Sequence, residues 1–253
     1  MNLSPIPTVL STLRKHRVRA LLMGGQACIL YGAAEFSRDI DIAVSVDPAN
    51  LARLRSALRS LKAETIFFPP LSEEALRRGH ACHFKCRARG LRDVRLDVMS
   101  VMRGADGFAK LWARRTRRTL PGVGSVNLMS VEDLVRIKKT QREKDWPMVK
   151  RLIEADIVGA RRVKAGRARF WLRECRTAET LAELADRFPG LAREEWIRRP
   201  ALLRAMNGDL AGSERALRLE RERERLRDRR YWAPLRAELE RWRMERQLHG
   251  SSV

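Results

Sequence analysis

The sequence of 253 residues predicts an α/β (α+β) protein, in which a mixed β-sheet flanked by helices is followed by an all-helical domain. Segments with the two-residue alternation of strands and segments with a helical period are mingled up to about residue 158. From Arg161 to Leu248 the strand-like alternation disappears, and Arg, Glu and Leu recur with a helical pattern. We therefore predict two domains, residues 1–158 and residues 159–253.

The first elements are predicted from turn residues and periodicity. Ser4-Pro5 is typical of an N-cap followed by proline, and predicts a helix to about His16. Alternation and apolar runs predict strands over Arg19–Met23 and Asp39–Val44, with a helix over Gln26–Tyr31 between them. The later elements are a helix from Asp47-Pro48, a strand over Ala63–Phe68, a hairpin of Cys82–Ala88 and Asp93–Ser100 turned at Gly90, a strand over Ser125–Leu128, and helices over Ser130–Lys139 and Asp145–Ala155. In the helical domain, Pro234 is expected to break the last long helix.

The charge balance indicates a polyanionic partner. Lys and Arg number 53 against 31 Asp and Glu, which gives a formal net charge of +22. A field of this sign attracts polyanions, and nucleic acid is the commonest of them. A preference for Arg can also reflect a GC-rich genome, and Arg beside Glu, as in Glu220–Arg230, makes solvated helix faces. Base composition does not account for so large an excess over acids, so nucleotide or nucleic acid is the expected partner.

The sequence carries no pattern of export or membrane insertion. Pro5 and Pro7 interrupt the first 18 residues, so no signal peptide is expected. No apolar run approaches the roughly 20 residues that span a bilayer. The four cysteines show no disulfide framework for a chain of this length. We expect a cytoplasmic protein without a membrane partner.

The segment from His80 to Cys86 mixes residue types that bind zinc, namely His80, Cys82, His83 and Cys86. Structural zinc sites recruit a second pair of ligands elsewhere in the chain, and no such pair is evident. We therefore interpret the segment as a strand, near the cleft that would hold the candidate catalytic residues, rather than as a zinc site.

The segment from Leu21 to Val44 carries the residues most suited to catalysis. In a strand, side chains two apart share a face, so Asp39 and Asp41 point the same way while Ile40 and Ile42 point into the core. Two adjacent carboxylates repel each other, and a divalent cation shared between them removes the repulsion. Mg²⁺ suits such a place because it prefers oxygen ligands. Gly24-Gly25, between a strand and a helix, lets backbone N–H groups approach a phosphate.

Together these features resemble the signature of the DNA polymerase beta-type nucleotidyltransferase superfamily, which is Gly-Gly or Gly-Ser, about a dozen residues, and Asp-apolar-Asp-apolar. The resemblance implies a nucleotidyltransferase-type mixed sheet and a third carboxylate on a later strand. Asp97 supplies it, because Leu96 and Val98 place it in mid-strand. Asp93 shares its face but lies about 13 Å away along the strand, and is interpreted as a turn or strand-start residue.

Further positions are similar to minimal nucleotidyltransferases of bacterial toxin and abortive-infection systems, and the likeness covers roughly residues 18–157. Ser37-Arg38-Asp39 resembles their approach to the first aspartate. A leucine-rich helix and the basic residues after it match a segment that meets the triphosphate in those proteins. These candidate residues are Lys138, Lys139, Arg142 and Lys144. Glu35 departs from the toxin branch, which often has Arg there.

The resemblance implies nucleotidyl transfer from an NTP with two Mg²⁺ ions, for which Mn²⁺ can substitute. Asp39 and Asp41 would bridge both ions, and Asp97 would bind the ion that activates the attacking hydroxyl. Gly24, Gly25, Ser37 and Arg38 would contact the nucleotide.

The leading functional prediction is transfer to RNA, for which the resemblance to the toxin relatives implies the end of a tRNA, with the helical domain as a candidate acceptor-binding domain. Nucleotidylation of a protein or small molecule is the second hypothesis, and a non-catalytic module that binds nucleic acid or a partner is the third. An antitoxin-type protein partner is left open, as are the NTP used and the oligomeric state.

Overall fold

The computed structural model describes residues 5–91 and 94–250, so Ser4 and Asp93, which figured in the predictions above, lie outside the described residues. The strands are β1 (Ala20–Met23), β2 (Ile40–Val44), β3 (Ala63–Phe67), β4 (Cys82–Cys86), β5 (Val94–Met99), β6 (Thr116–Leu120) and β7 (Gly124–Leu128). The helices are α1 (Pro5–Lys15), α2 (Gly24–Leu30), α3 (Pro48–Ser60), α4 (Glu73–Arg78), α5 (Phe108–Ala113), α6 (Val131–Lys138), α7 (Asp145–Gly159), α8 (Ala165–Glu174), α9 (Ala178–Arg187), α10 (Pro189–Glu195), α11 (Pro200–Met206) and α12 (Leu210–Gly250). The predicted mixed α/β class with a helical C-terminal part is confirmed.

Contacts divide the chain into two compact units. The sheet unit comprises residues 1–30, 35–134 and 231–253, and the helical unit comprises residues 31–34 and 135–230. This division follows contacts rather than chain order, so it places α7 in the helical unit and the last part of α12 in the sheet unit. The boundary at residues 158 and 159 stays a prediction.

The sheet unit contains a seven-stranded sheet in the order β3-β4-β5-β2-β1-β7-β6. The pairs β2–β5 and β1–β7 are parallel, and the other pairs are antiparallel. On β5 the residues Val94, Leu96 and Val98 are buried, whereas Arg95 and Asp97 are half-buried. The period of two thus gives the sheet an apolar face against the core and a polar face that carries the candidate site.

Asn50, at the start of α3, fixes the two strands that carry the glycine turn and the paired aspartates. Its side chain accepts from the N–H of Arg19 at 2.7 Å and donates to the carbonyls of Arg19 at 3.2 Å and Ser45 at 2.8 Å. Arg19 precedes β1 and Ser45 follows β2, so the buried Asn50 side chain ties the two strands together at one end. Asp47 caps the same helix by accepting from the Asn50 N–H at 2.8 Å.

In the helical unit the core is built from α7 to α11 and contains Trp171, Leu181 and Leu202. Asp156 is buried there, and its carboxylate accepts from Trp171 Nε1 at 2.8 Å and from Arg167 Nε at 2.8 Å. The hydrogen bonds satisfy a charge that would otherwise be costly to bury. No helix in the described ranges is long and apolar enough to cross a membrane.

The prediction that Pro234 breaks the last helix is wrong, because α12 runs unbroken from Leu210 to Gly250. A proline removes one backbone hydrogen bond and crowds the preceding turn, which weakens a helix without ending it when the next residues are held. Contacts within the sheet unit hold them here. Glu238 accepts from His80 Nε2 at 2.7 Å, and the Trp242 ring lies 4.9 Å from the His80 ring.

Candidate active site

Gly24 and Gly25, the glycine turn, follow β1 directly as the first two residues of α2 and are packed against the polar face of the sheet. Gly24 has φ +65°, and a Cβ atom added there would lie 1.8 Å from Asp41 Oδ2. A Cβ atom added to Gly25 would lie 2.4 Å from Ser37 Oγ. Side chains at these positions would displace Asp41 and Ser37, so both glycines are required by close approach, and Gly24 is required by its backbone conformation as well.

The loop that leads to Asp39 is held by Gln26, a buried residue of α2. Its Nε2 donates to the Ser37 carbonyl at 2.7 Å, and Ser37 Oγ donates to the Asp39 carbonyl at 3.2 Å. The first three residues of α2 therefore position both aspartates of the Asp39-Ile40-Asp41 motif. Gly24 contacts Asp41 directly, and Gln26 is linked to Asp39 through Ser37. Gln26 was not among the predicted site residues, although it follows the glycine pair immediately.

The sheet register brings the aspartates of β2 and β5 together. Asp41 and Asp97 are Cα partners in the parallel pair β2–β5, and Met23 pairs with Asp41 on the other side. Asp39 immediately precedes β2, two residues from Asp41 and on the same face. All three aspartates are half-buried. The predicted carboxylates thus lie on one polar face beside the glycine turn.

Asp97 is held by two side chains that the sequence did not indicate. Arg95 Nε donates to Asp97 Oδ1 at 2.8 Å, and His83 Nδ1 lies 2.8 Å from the same oxygen. His83 stands opposite Asp97 in the antiparallel pair β4–β5. Burial by itself would raise the pKa of Asp97, but the hydrogen bonds from His83 and Arg95 outweigh burial, and the pKa is lowered. Asp97 is therefore ionised at neutral pH.

Arg95 places a positive charge on this polar face beside the aspartates. The hydrogen bond to Asp97 raises the pKa of Arg95, and the charges of Asp39 and Asp41 raise it further. Its guanidinium also lies over the Phe67 ring, 5.6 Å from the centroid. A positive charge at this place offsets part of the repulsion among the three carboxylates.

The donor set suits a hard divalent cation, since three carboxylates on one face offer the oxygen ligands that Mg²⁺ prefers. In the described part of the chain, however, no three His, Cys, Asp or Glu side chains are gathered closely enough to hold a metal ion. The contacts of Asp97 Oδ1 with Arg95 and His83 give a reason for this arrangement. A cation bound through Oδ1 of Asp97 would therefore compete with these two partners.

The residues considered as zinc ligands have other surroundings. Cys82 and Cys86 are buried in β4, and burial raises the pKa of each thiol to about 11. His80 contacts Glu238, and His83 contacts Asp97. Thiols held neutral in this way are poor metal ligands, which agrees with the interpretation of the segment as a strand beside the site.

The basic residues predicted to meet the triphosphate lie in the helical unit, and three of the four have carboxylate partners there. Lys138 Nζ lies 3.2 Å from Asp145 Oδ1, and Arg142 Nε lies 2.8 Å from Asp145 Oδ2. Lys139 Nζ lies 2.9 Å from a Glu174 oxygen. Lys144 is exposed at the start of α7. Their role toward a nucleotide stays a prediction.

Ser37 and Arg38 occupy the loop before β2. Arg38 is exposed, and its guanidinium lies 5.7 Å from the centroid of the Phe36 ring, which is itself 68% exposed. Ser37 contacts Gly25, as described above. Nucleotide contacts by this pair likewise stay predictions.

The comparisons with known proteins do not assign the chain to a family. No family model and no curated protein matches the chain. Among solved structures, a provisionally assigned nucleotidyltransferase from H. pylori is similar with a TM-score of 0.42 and 13% sequence identity, covering 87% of this chain and 93% of that chain. A likeness at this level assigns no function, so the functional conclusion depends on the residues of the site.

Proposed function

We propose that the chain is a Mg²⁺-dependent nucleotidyltransferase that transfers a nucleotide from an NTP to an acceptor, preferably RNA. One observation carries this proposal: the Asp41 carboxylate packs on Gly24, where a side chain could not be accommodated, and is paired in register with Asp97. A bare glycine turn beside paired carboxylates is the arrangement needed for a metal-bound triphosphate to approach the backbone.

Each side chain of the site has a proposed task. Asp39, Asp41 and Asp97 would hold the cations, and Gly24 and Gly25 would leave room for phosphate oxygens. When bound, Mg²⁺ neutralises charge on the triphosphate and favours the ionised form of the attacking hydroxyl. The three aspartates are ready to act as ligands only when ionised, and the lowered pKa of Asp97 meets that requirement.

RNA is the preferred acceptor because the chain carries a net charge of +22, a field that attracts polyanions. With a protein or small-molecule acceptor the aspartates would have the same task, because any acceptor hydroxyl attacks the α-phosphate in the same way. The acceptor class is therefore a question for experiment.

The test is incubation with each α-³²P-labelled NTP, Mg²⁺ and total cellular RNA from the source cells. The Asp39→Ala/Asp41→Ala variant removes two carboxylates of the site, and Asp186→Ala, at an exposed position of α9, removes one elsewhere. We expect labelled RNA with the wild-type chain and Asp186→Ala, and none with the double variant. Label on protein would change the acceptor class. No label on any acceptor, from a folded protein that binds NTP, would refute the proposed transfer.

A further inference from the structure

The helical unit encloses a cationic cavity that the site described above does not use. Its volume is about 320 Å³, and it lies among residues of α8, η1 (Trp196–Arg198), α11 and α12 and the segments beside them. In the described lining, seven side chains are Lys or Arg and four are Glu. We infer that this cavity binds backbone phosphates of RNA. This inference rests on the proposed function, from which RNA is taken as the acceptor, and it assigns the part of the chain that binds the RNA.

The four glutamates of the lining are already engaged by basic side chains. Glu174 accepts from Lys139 Nζ at 2.9 Å and from Arg176 Nη2 at 2.9 Å. Glu195 accepts two hydrogen bonds of 2.6 Å from Arg173. Glu220 and Glu224 are paired in the same way with other arginines of the lining. Since there are three more cations than carboxylates, the cavity keeps an unbalanced positive charge.

Hydrogen bonds hold the inner wall of the cavity. Arg199 is buried, and its guanidinium donates to the carbonyls of Leu172 and Cys175 at 2.6 Å each. It also contacts Glu220 at 3.1 Å, and Arg176 contacts that carboxylate at 2.8 Å. These bonds fix two guanidinium groups in place, so their positive charges are ordered before an anion enters the cavity.

The rim of the cavity supplies the charges that remain open to a ligand. Arg198 and Arg223 are exposed, and neither has an ion-pair partner within 4.0 Å among the described residues. On α12, Arg223, Arg227 and Arg230 are spaced four and three residues apart and are exposed, so they form one stripe that starts at the cavity. A stripe that continues outside the cavity suits an extended chain of phosphates better than a single nucleotide.

The test compares two pairs of arginines in binding to a fluorescein-labelled, 20-nucleotide single-stranded RNA of mixed sequence, measured by fluorescence anisotropy without Mg²⁺ or NTP. Arg198→Gln/Arg223→Gln removes the rim charges. Arg229→Gln is the matched control, because Arg229 is exposed on α12, has no ion pair in the described residues and does not line the cavity. Thermal unfolding of each variant verifies the fold.

We expect the double variant to bind RNA about tenfold more weakly and to lower the slope of log Kd against log salt by about 1.4, which corresponds to two phosphate contacts. Arg229→Gln should change Kd by less than about twofold. Weakening by both variants in proportion to the number of charges removed would mean that the net field, not the cavity, binds RNA, and would overturn the inference. Unchanged binding to RNA by a folded Arg198→Gln/Arg223→Gln variant would overturn it as well.

The same measurement on Asp39→Ala/Asp41→Ala separates this inference from the proposed function. If the cavity binds RNA, this variant retains affinity that depends on Arg198 and Arg223, even where transfer is absent. Transfer to RNA that is unaffected by Arg198→Gln/Arg223→Gln in both KM and kcat would count against a role for the cavity in acceptor binding.

Discussion

Arg95 and Asp97 lie two residues apart on β5, on the same face, and the arginine Nε donates to the carboxylate at 2.8 Å. The contact sets a permanent positive charge against the aspartate that is predicted to be the third metal ligand. The same guanidinium is within electrostatic reach of Asp39 and Asp41. A metal ion bound by these carboxylates would therefore compete with an intrinsic cation.

Removing this cation should strengthen binding of a divalent metal. Without the positive charge of Arg95, Asp97 is released from one partner, and the three carboxylates present a more negative site. We expect Arg95→Gln to lower the Kd for Mn²⁺, measured by electron paramagnetic resonance, by about threefold to tenfold, and to lower Tm in the absence of metal. Arg118→Gln, on the far edge strand β6, removes an exposed charge and serves as the control. Unchanged Mn²⁺ affinity in Arg95→Gln would show that Arg95 does not compete for the site.

Gly24→Ala tests whether close approach of Asp41 is what requires glycine. The new Cβ would lie 1.8 Å from Asp41 Oδ2, at a backbone φ of +65°. Gly122 has a similar φ of +71° with nothing within 4 Å of an added Cβ, so Gly122→Ala carries the backbone strain without the clash. We expect Gly122→Ala to lower the free energy of unfolding by about 1 kcal/mol, and Gly24→Ala to lower it by more than about 2 kcal/mol and abolish transfer. Urea denaturation and the labelling assay measure the two effects, and equal losses in both variants would leave strain as the sufficient explanation.

The site was predictable where its pattern is local. Gly24-Gly25 follows one apolar strand, and Asp39 and Asp41 stand at the start of another. Glycines and charged residues at such places indicate close approach and a polar site, so both motifs could be identified from the sequence. Asp97 could be chosen because its apolar neighbours place it in mid-strand. The contact of His83 with Asp97 depends on the register between β4 and β5, and the sequence of one strand alone does not determine that register.

The elements missed by the sequence prediction are short and lack a strong period. Helix α4 has six residues and helix α5 also has six, too few to establish an apolar face. Strand β6 is an edge strand of the sheet, and its exposed Arg117 and Arg118 leave it without the apolar alternation that indicates a strand. Pro234 was misread because side-chain contacts beyond it outweigh a local preference.

The ion pair between Lys138 and Asp145 is another contact that the sequence pattern did not indicate, and it leads to a prediction about stability. Both side chains are buried, and Asp145 also accepts from Thr140 Oγ1 at 2.6 Å. Asp145→Asn leaves the Lys138 charge buried without a carboxylate, so we expect the free energy of unfolding at pH 7 to fall by about 2–4 kcal/mol. Asp186→Asn, at an exposed position, should change it by less than about 0.5 kcal/mol.

The pH dependence of this loss follows from the pKa of Asp145. Burial raises that pKa, but Lys138, Thr140 and Arg142 together lower it below its ordinary value. A lowered folded-state pKa means that the stabilisation is present above the unfolded-state pKa of about 3.9 and is lost as pH falls through the folded-state pKa. The difference between wild type and Asp145→Asn should therefore be constant from pH 7 to about pH 5 and shrink in more acidic solution. Urea denaturation at a series of pH values tests this, and a difference that grows on acidification would contradict it.

Glu238 should determine how firmly the last part of α12 is held within the sheet unit. Its carboxylate accepts from His80 Nε2 at 2.7 Å and also contacts Arg78, beside the packing of Trp242 on the His80 ring. Glu240, two residues along the helix, is exposed and makes no such contacts, so Glu240→Gln is a matched control. We expect Glu238→Gln to speed amide hydrogen exchange over residues 235–248 by about tenfold while exchange in β2 and β5 stays unchanged, because a helix segment weakened by Pro234 depends on its side-chain contacts. Equal exchange in the two variants would mean that packing of Trp242 alone holds the segment, and Trp242→Ala would then be the variant that releases it.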